Sequence, residues 1–273
     1  MNANPAKILS ALALLVLLAS CSPARAAQEP SGIPVLRNEQ LEWLGDRIFQ
    51  NECNRKEACL TAWNEGEEFP SLGIGHFIWY RQGQTAPFIE TFPSLLKYLQ
   101  QHNIVLPSWL QQETAQPWQD RKSFLAAQQE PQLQELRQLL ANTKALQTAF
   151  IVERFRQLLT TPGSPLNSSP LLQQRMVAIA RSKIPYGLYA LIDYVHFKGD
   201  GTRTSERYQG QGWGLQQVLE NMDSAQDPLL SFVKSAEVTL AQRVTNAPPD
   251  RHEERWLKGW QQRVQTYLPP TQP

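Results

Sequence analysis

Apolar residues at helical spacing, interrupted by proline, dominate this chain from Phe92 to Tyr267. Proline stands mostly at the starts of the periodic segments, where its missing N–H would have no partner inside a helix. The spacing therefore predicts a mainly α fold. The helices predicted over this part of the chain are 94–102, 117–129, 132–143, 145–159, 170–182, 186–195, 213–222, 228–244 and 251–267.

The segments outside this series complete the predicted organisation. A first helix is expected to follow Asn38, whose side chain can cap it, and to end near Cys53. Residues 69–80 are apolar and punctuated by glycine, which predicts a short β-ribbon, while 160–169 and 198–212 are expected to be loops. With no internal repeat, we expect a single domain over 35–273, long enough for one substantial core, with additional helices around the ribbon.

Residues 1–20 are predicted to be an export signal. Lys7 precedes an apolar run over 8–18, which is too short to cross a bilayer, since a spanning helix takes about 20 residues. Its length and flanks are typical of a signal peptide. The run ends in Leu-Ala-Ser-Cys, which resembles the bacterial lipobox and implies lipidation of Cys21 and anchorage to a membrane through that lipid.

The segment after Cys21 allows an alternative way of cleaving the signal and also indicates where the protein is located. Small residues at 24–27 also permit ordinary signal cleavage, which would leave a product without an anchor. Ser22, by resemblance to lipoprotein sorting rules, indicates the outer membrane and a domain facing the periplasm. Residues 21–34 are small, polar and proline-bearing, so we expect a flexible tether.

Charge and tryptophan content bear on the partners. The net charge is +1 and no basic face or stripe is evident, so we expect no nucleic-acid partner. Eight tryptophans are more than packing needs; they are either core anchors or aromatic faces for stacking on sugar rings. Nothing in the composition or motifs implies a cofactor or a resident metal, and the protein partners stay undefined.

Cys53 and Cys59 remain once Cys21 is assigned to the lipid. An even number of thiols in an oxidising compartment indicates pairing, and this spacing can close a small loop. A metal site is less favoured, because two sulfurs without a nearby histidine in the sequence supply too few ligands. We therefore expect a Cys53–Cys59 disulfide.

The stretch from Glu52 to His76 places a helix-terminal carboxylate before an acidic turn and a Gly-Ile-Gly-His segment at 73–76. This layout resembles the active-site region of lysozyme-like muramidases, the phage type especially. The resemblance implies a lysozyme-like fold with Glu52 as general acid, and Ser71 matches a hydroxyl residue that is usually threonine. The match covers about 25 residues, and its gap between Glu52 and Ser71 is a few residues longer than in the phage enzymes.

The second catalytic group of such an enzyme has no unique counterpart. Glu65, Glu67 and Glu68 compete for the role, and a solvated acidic turn is the plain alternative for all of them. Hydrolysis would need Glu67 or Glu68 and a water molecule. A lytic transglycosylase would need only Glu52, acting as acid and then as base, with the 6-hydroxyl of the substrate attacking.

A general acid needs a raised pKa and hence a partly apolar pocket. Phe49, Trp63 and Trp79 are candidate walls around Glu52, and both tryptophans are candidate substrate contacts. His76 is either a catalytic base or, as we prefer, a residue that orders the ribbon beside the substrate. The alternative for Glu52 is a solvated carboxylate at a helix end.

The segment 193–214 combines glycines, aromatic residues, amides and charges between two predicted helices. Such a composition suits a sugar groove, although a purely structural loop is the alternative. Asp193 and Asp200 supply too few fixed oxygens for a cation site. The candidate substrate contacts in this segment are Lys198, Tyr208, Gln209 and Gln211.

These features together predict a membrane-anchored lipoprotein that cleaves the glycan strands of peptidoglycan. Two alternatives stay open: a lysozyme-fold lipoprotein that binds glycan or helps envelope assembly without cutting, and a structural helical lipoprotein with no glycan contact. Chitin or chitosan ranks below peptidoglycan as a substrate, because the near-neutral net charge does not indicate a polycationic ligand.

Overall fold

The computed structural model describes residues 32–84, 88–111, 115–204 and 206–270, so the export signal and Cys21 lie outside the described residues. Over this part of the chain the fold is mainly α, which confirms the class that the helical spacing predicts. The helices are α1 (Asn38–Cys53), α2 (Phe92–Gln101), α3 (Arg121–Ala126), α4 (Pro131–Asn142), α5 (Lys144–Thr160), α6 (Pro165–Ser168), α7 (Pro170–Arg181), α8 (Tyr186–Lys198), α9 (Leu215–Glu220), α10 (Pro228–Asn246) and α11 (Glu254–Gln265).

A small antiparallel sheet follows α1, and its strand order is β1 (Thr61–Ala62), β2 (Ser71–Leu72), β3 (Phe77–Ile78). Ser71 pairs with Ala62 on one side and with Ile78 on the other. The ribbon expected near 69–80 is thus confirmed, and it gains a strand from upstream.

A second ribbon lies where a loop was expected, because two short strands, β4 (Arg207–Tyr208) and β5 (Gln211–Gly212), pair antiparallel. The turn between them consists of Gln209 and Gly210, which have φ angles of +50° and +78°. Two successive residues with positive φ form the tight turn whose twist suits a hairpin.

Local capping explains where the helices begin. Proline is the first helical residue of α4, α7 and α10, as expected. It also begins α6, a short helix within 160–169, where a loop was expected. The helix predicted over 117–129 begins only at Arg121, because the Asp120 carboxylate accepts a hydrogen bond from the Ser123 backbone N–H at 2.7 Å. Asn38 is itself helical, and Arg37 precedes it as the N-cap.

Helix α8 is the centre of the core, with Leu188, Tyr189, Leu191 and Tyr194 all buried. A helix that is apolar on every side has no solvent-facing stripe and must be surrounded by other elements. Around it lie α5, α7 and α9, and Phe232 of α10 packs edge-on against Tyr194. Packing on several sides therefore fixes the position of α8 and of the side chains on it.

A second part of the core joins the ribbon to α2 and α3 through aromatic side chains. Trp63 packs against Phe124 with the ring centroids 5.6 Å apart, and Trp79 packs against Phe92 at 4.8 Å. Both tryptophans are buried. They are core anchors, which settles the choice left open for these two residues.

Residues 32–34, which we expected to belong to the tether, lie on the helical domain instead. Ile33 is buried, and the carbonyls of Gly32 and Pro34 accept hydrogen bonds from Arg181 and Arg156 at 3.1 and 3.2 Å. The apolar side chain of Ile33 explains the contact, since its burial removes hydrocarbon surface from water. Within the described ranges, no helix combines the length and apolarity that crossing a bilayer requires.

The approach of α8 to the end of α7 tests this packing. A Cβ atom on Gly187 would lie 1.8 Å from the carbonyl oxygen of Ile179 and 2.6 Å from that of Ser182. We expect Gly187→Ala to lower the free energy of unfolding by about 1–3 kcal/mol or more, because backbone must move. Urea denaturation followed by circular dichroism measures the change.

Gly259→Ala in α11 is the matched control, because no atom lies within 4 Å of the added methyl group. It should leave the free energy of unfolding unchanged or raise it by up to about 1 kcal/mol, since alanine is the better helix former. Equal midpoints for Gly187→Ala and the wild type would mean that the two helices are not packed this closely.

Candidate active site

The carboxyl of Glu52, in the last turn of α1, is the meeting point of four elements. Arg263 of α11 donates a hydrogen bond from Nη2 to Glu52 Oε1 at 2.6 Å. His76, just before β3, places Nδ1 3.5 Å from Oε2, and His196 of α8 places Nε2 3.8 Å from Oε1. The side chain of Glu52 is mostly buried within this basic set.

Arg263 binds a second carboxylate, Asp193 of α8, which is only 1% exposed. The guanidinium donates from Nε to Oδ2 at 2.9 Å and from Nη2 to Oδ1 at 2.8 Å. Tyr267 donates its hydroxyl to Oδ2 at 2.7 Å, and Asn51 donates its amide to Oδ1 at 3.0 Å. Burial alone would raise the pKa of Asp193, but the charge and hydrogen bonds of Arg263, with those of Tyr267 and Asn51, lower it.

The surroundings of Glu52 differ from the apolar pocket that we expected. Burial would raise the pKa of the Glu52 carboxyl, but the positive charges of His196, Arg263 and His76 outweigh it and hold the pKa below its usual value. At rest the carboxyl is therefore ionised at neutral pH.

The tryptophans predicted as walls and substrate contacts do not line the site. Trp63 donates its indole N–H to the carbonyl of Glu67 at 2.8 Å and packs on Phe124. Trp79 is fully buried, and Phe49 is buried too, with Lys144 over its ring. Because neither indole presents a face to solvent, neither can stack on a sugar ring in this conformation.

The Cys53–Cys59 disulfide is confirmed and forms a wall behind His76. The Nε2 atom of His76 lies 3.5 Å from the sulfur of Cys59 and 3.8 Å from that of Cys53, while Nδ1 faces Glu52. Burial lowers the pKa of the His76 imidazole below its usual value, which favours the neutral ring. The three side chains have metal-ligand spacing, but the disulfide consumes both thiolates.

The hydroxyl and acidic residues of the ribbon form a separate group. Ser71 is buried in β2 and donates its hydroxyl to Glu67 Oε2 at 3.3 Å, and Asn64 donates its amide to the same oxygen at 3.1 Å. Over the described ranges, no hydrogen bond or ion pair joins this group to Glu52. The other carboxylates of the turn are exposed: Glu65 and Glu68.

Glu52, Asp193 and Arg263, with the two histidines around Glu52, form an ion cluster. A cleft of about 480 Å³ opens beside this cluster, a size that suits a small ligand or part of a polymer. His196 lines the cleft and also approaches Glu52, so Glu52 lies one side chain behind the cleft wall. Apolar groups from the ribbon, α5 and α8 make up much of the lining. The basic side chains on it, besides His196, are Arg154, Lys198, Arg203 and Arg243.

Of the predicted contacts in the segment 193–214, Lys198 lines the cleft. Tyr208 donates its hydroxyl to a buried carboxylate just before α11. Gln209 donates to the backbone carbonyl of Asn246, and Gln211 accepts from the Asn246 side chain. Gln209 and Gln211 thus hold the second ribbon against the end of α10, Tyr208 holds it against the start of α11, and none of the three lines the cleft.

Three residues of the cluster were not among the predicted site residues: Asp193, His196 and Arg263. A signal existed for Asp193, because a carboxylate inside an otherwise apolar helix needs a buried partner. In α11, Arg263 follows Trp260 and precedes Tyr267 at helical spacing, which places it on the inward face. Nothing local in the sequence connects the two charges.

Comparison of the chain with protein-family models, with curated proteins and with solved structures gave no match. What the site can do chemically therefore follows from its geometry. A carboxylate one side chain behind a cleft wall, with two imidazoles and a guanidinium around it, can move a proton toward the cleft through His196 and stabilise a change of charge there.

The shared guanidinium provides a test of the ion cluster. Arg263→Gln leaves the buried Asp193 carboxylate without its counter-ion, so we expect the free energy of unfolding at pH 7 to fall by about 3–5 kcal/mol. Arg255→Gln, at an exposed position of the same helix, should leave it nearly unchanged. Urea denaturation at several pH values measures both.

The pH dependence of this loss of stability tests whether Asp193 and Arg263 are paired. In the wild type the pKa of Asp193 lies below its usual 3.8, so its stabilisation is present at pH 7 and is lost only as the pH falls through that lowered pKa. In Arg263→Gln the pKa of the unpaired carboxyl rises, so the penalty is full at neutral pH and shrinks toward pH 4. A penalty that grows on acidification would contradict the pairing.

Proposed function

We propose that this protein is a lipoprotein, anchored through Cys21 to the outer membrane and facing the periplasm, that cleaves the β-1,4 glycan strands of peptidoglycan. The observation that carries the proposal is the contact between Glu52 at the end of α1 and His76 of the Gly-Ile-Gly-His segment. These are the two parts of the motif that resembles lysozyme-like muramidases, and a cleft opens beside them.

Glycan cleavage needs a proton for the leaving oxygen and negative charge near the anomeric carbon. Glu52 is the group that can serve both ends of this exchange, first as acid and then as base. His76 lowers the pKa of Glu52 only while its ring is protonated, and burial disfavours that form. At neutral pH the permanent charge of Arg263 therefore keeps the pKa of Glu52 low against the effect of burial. A glycan that excludes water from the cleft raises this pKa and so favours the protonated carboxyl.

A second candidate function is glycan binding without cleavage. The lowered pKa of Glu52 favours it, because an ionised carboxylate has no proton to donate. In this case the ion cluster clamps the helices, and the cleft holds a strand while the domain contributes to envelope assembly.

Replacement of the central carboxyl separates the two functions. Glu52→Gln keeps the size of the side chain but cannot exchange the proton, so we expect release of soluble fragments from purified sacculi to fall at least about 100-fold. Circular dichroism should show an unchanged fold, and Glu42→Gln, at an exposed position of α1, should digest as the wild type does. If Glu52→Gln digested sacculi as well as the wild type does, the catalytic role of Glu52 would be excluded. If the wild type bound sacculi but released no soluble fragments, glycan binding without cleavage would be favoured.

The rate of cleavage should depend on pH in one direction. Because the pKa of Glu52 is lowered, only a small fraction of the carboxyl is protonated at pH 7, and that fraction rises as the pH falls. We expect kcat/KM to increase by up to about tenfold per pH unit between pH 7 and pH 5. A rate that increases toward alkaline pH would argue against Glu52 as the acid.

The masses of the new chain ends distinguish the two possible reactions. Attack by the substrate's own 6-hydroxyl gives anhydro ends, whereas attack by water gives reducing ends. Mass spectrometry of the digest reports which of the two the site carries out.

A further inference from the structure

Lys198, the last residue of α8, is a buried amine at the wall of the cleft. Its side chain lines the cleft although the residue is only 8% exposed. Its Nζ atom lies 3.3 Å from the ring centroid of Trp260 and 4.0 Å from that of Phe197. Across the described ranges, no carboxylate or other acceptor forms an ion pair or hydrogen bond with it.

The charges that face Lys198 are already engaged elsewhere. Arg243 of α10 lines the same cleft but forms a two-pronged ion pair with Glu253, and Arg263 of α11 is held by the carboxylates of the ion cluster. Burial first, and then the charge of Arg243, lower the pKa of Lys198 to about 6; Arg263 adds to this effect and Glu253 opposes it. Lys198 is therefore largely neutral at pH 7 and has no counter-ion of its own.

The rest of the cleft carries both charges, with two arginines and two carboxylates besides the paired Arg243. Arg154 of α5 and Arg203 line it without a carboxylate oxygen within 4 Å in the described residues. Of the acids, Asp200 accepts hydrogen bonds from Thr202. Burial, and then the charge of Asp200, raise the pKa of Glu206, whose Oε2 is buried without a partner. Arg154 and Arg203 are therefore the cations of the lining that an incoming anion can pair with besides Lys198.

We propose that this cleft binds a ligand that carries a carboxylate, that Lys198 is the counter-ion for it, and that the ligand is the peptide stem of a peptidoglycan strand. The identity of the ligand rests on the proposed function, whereas the need for a carboxylate rests on Lys198, a buried amine at the cleft wall without an acceptor among the described residues. Phe88 and Ile89, which are exposed on the same cleft, can contact the methyl groups and sugar faces of such a ligand. A bare chitin-type glycan has no carboxylate and would leave Lys198 unpaired.

A carboxylate next to Lys198 raises its pKa, so binding takes up a proton. With a pKa of about 6, the amine is neutral in about nine of ten molecules at pH 7, and the uptake approaches about 0.9 proton per ligand. Asp200, Glu206 and His196 face the same cleft. The contribution of Lys198 is therefore the difference between the wild type and a variant that lacks the amine.

The test is calorimetric titration at pH 7 in two buffers of different ionisation enthalpy. One probe is an N-acetylmuramyl tetrapeptide, which has no glycosidic bond to cleave, and the other is the same molecule with its stem carboxylates amidated. We expect the wild type to bind the carboxylate form at least about tenfold more tightly and to take up protons with it. Because both probes are compared on the wild type, this result does not depend on a variant.

Lys198→Met replaces the amine with an apolar side chain of similar length. It should bind the two probes equally and lose close to one proton of uptake, whereas Lys258→Met, at an exposed position of α11, should behave as the wild type. Equal affinity of the wild type for the two probes would overturn the proposal, as would a preference that survives in Lys198→Met.

Digestion of sacculi separates this inference from the proposed function. Cleavage by a wild type that shows no preference for the carboxylate form overturns the inference and leaves the enzyme in place. Proton-linked, Lys198-dependent binding without any cleavage supports the inference and removes the catalytic role of Glu52.

Discussion

The guanidinium of Arg263 allows two carboxylates to stay ionised in the interior. An unpaired charge at the position of Asp193 would cost several kcal/mol, and the same arginine also holds Glu52. Since these residues belong to α11, α8 and α1, one side chain fixes the relative positions of three helices. Buried ion pairs add little net stability over apolar packing, so the pairing specifies this arrangement more than it strengthens it.

Much of the fold could be predicted because its signals are local. Helical spacing, proline at helix starts and a glycine-rich apolar segment each act within a few residues, and they gave the helices and the first ribbon. The second ribbon was missed because its strands, Arg207–Tyr208 and Gln211–Gly212, are too short for alternation to be visible. Residue type alone could not decide between core and groove for Trp63 and Trp79, since an indole suits both environments.

The site was predictable only in part, for a related reason. The approach of His76 to Glu52 follows a motif that lies within one stretch of sequence. Arg263 is 211 positions from Glu52, and a pairing over that distance is decided by how α11 docks, which no local pattern records. The prediction of an apolar pocket around Glu52 was wrong for the same reason, because the groups that surround its carboxyl come from helices far along the chain.

The order of the chain has a consequence for when the site exists. Synthesis proceeds from the amino terminus, so α1 and α8 are made before α11. Until α11 docks, burial of α8 is disfavoured because Asp193 has no counter-ion. Glu52 then also lacks the guanidinium that lowers its pKa. The set of charges around Glu52 is therefore complete only after its most distant contact, with Arg263, has formed.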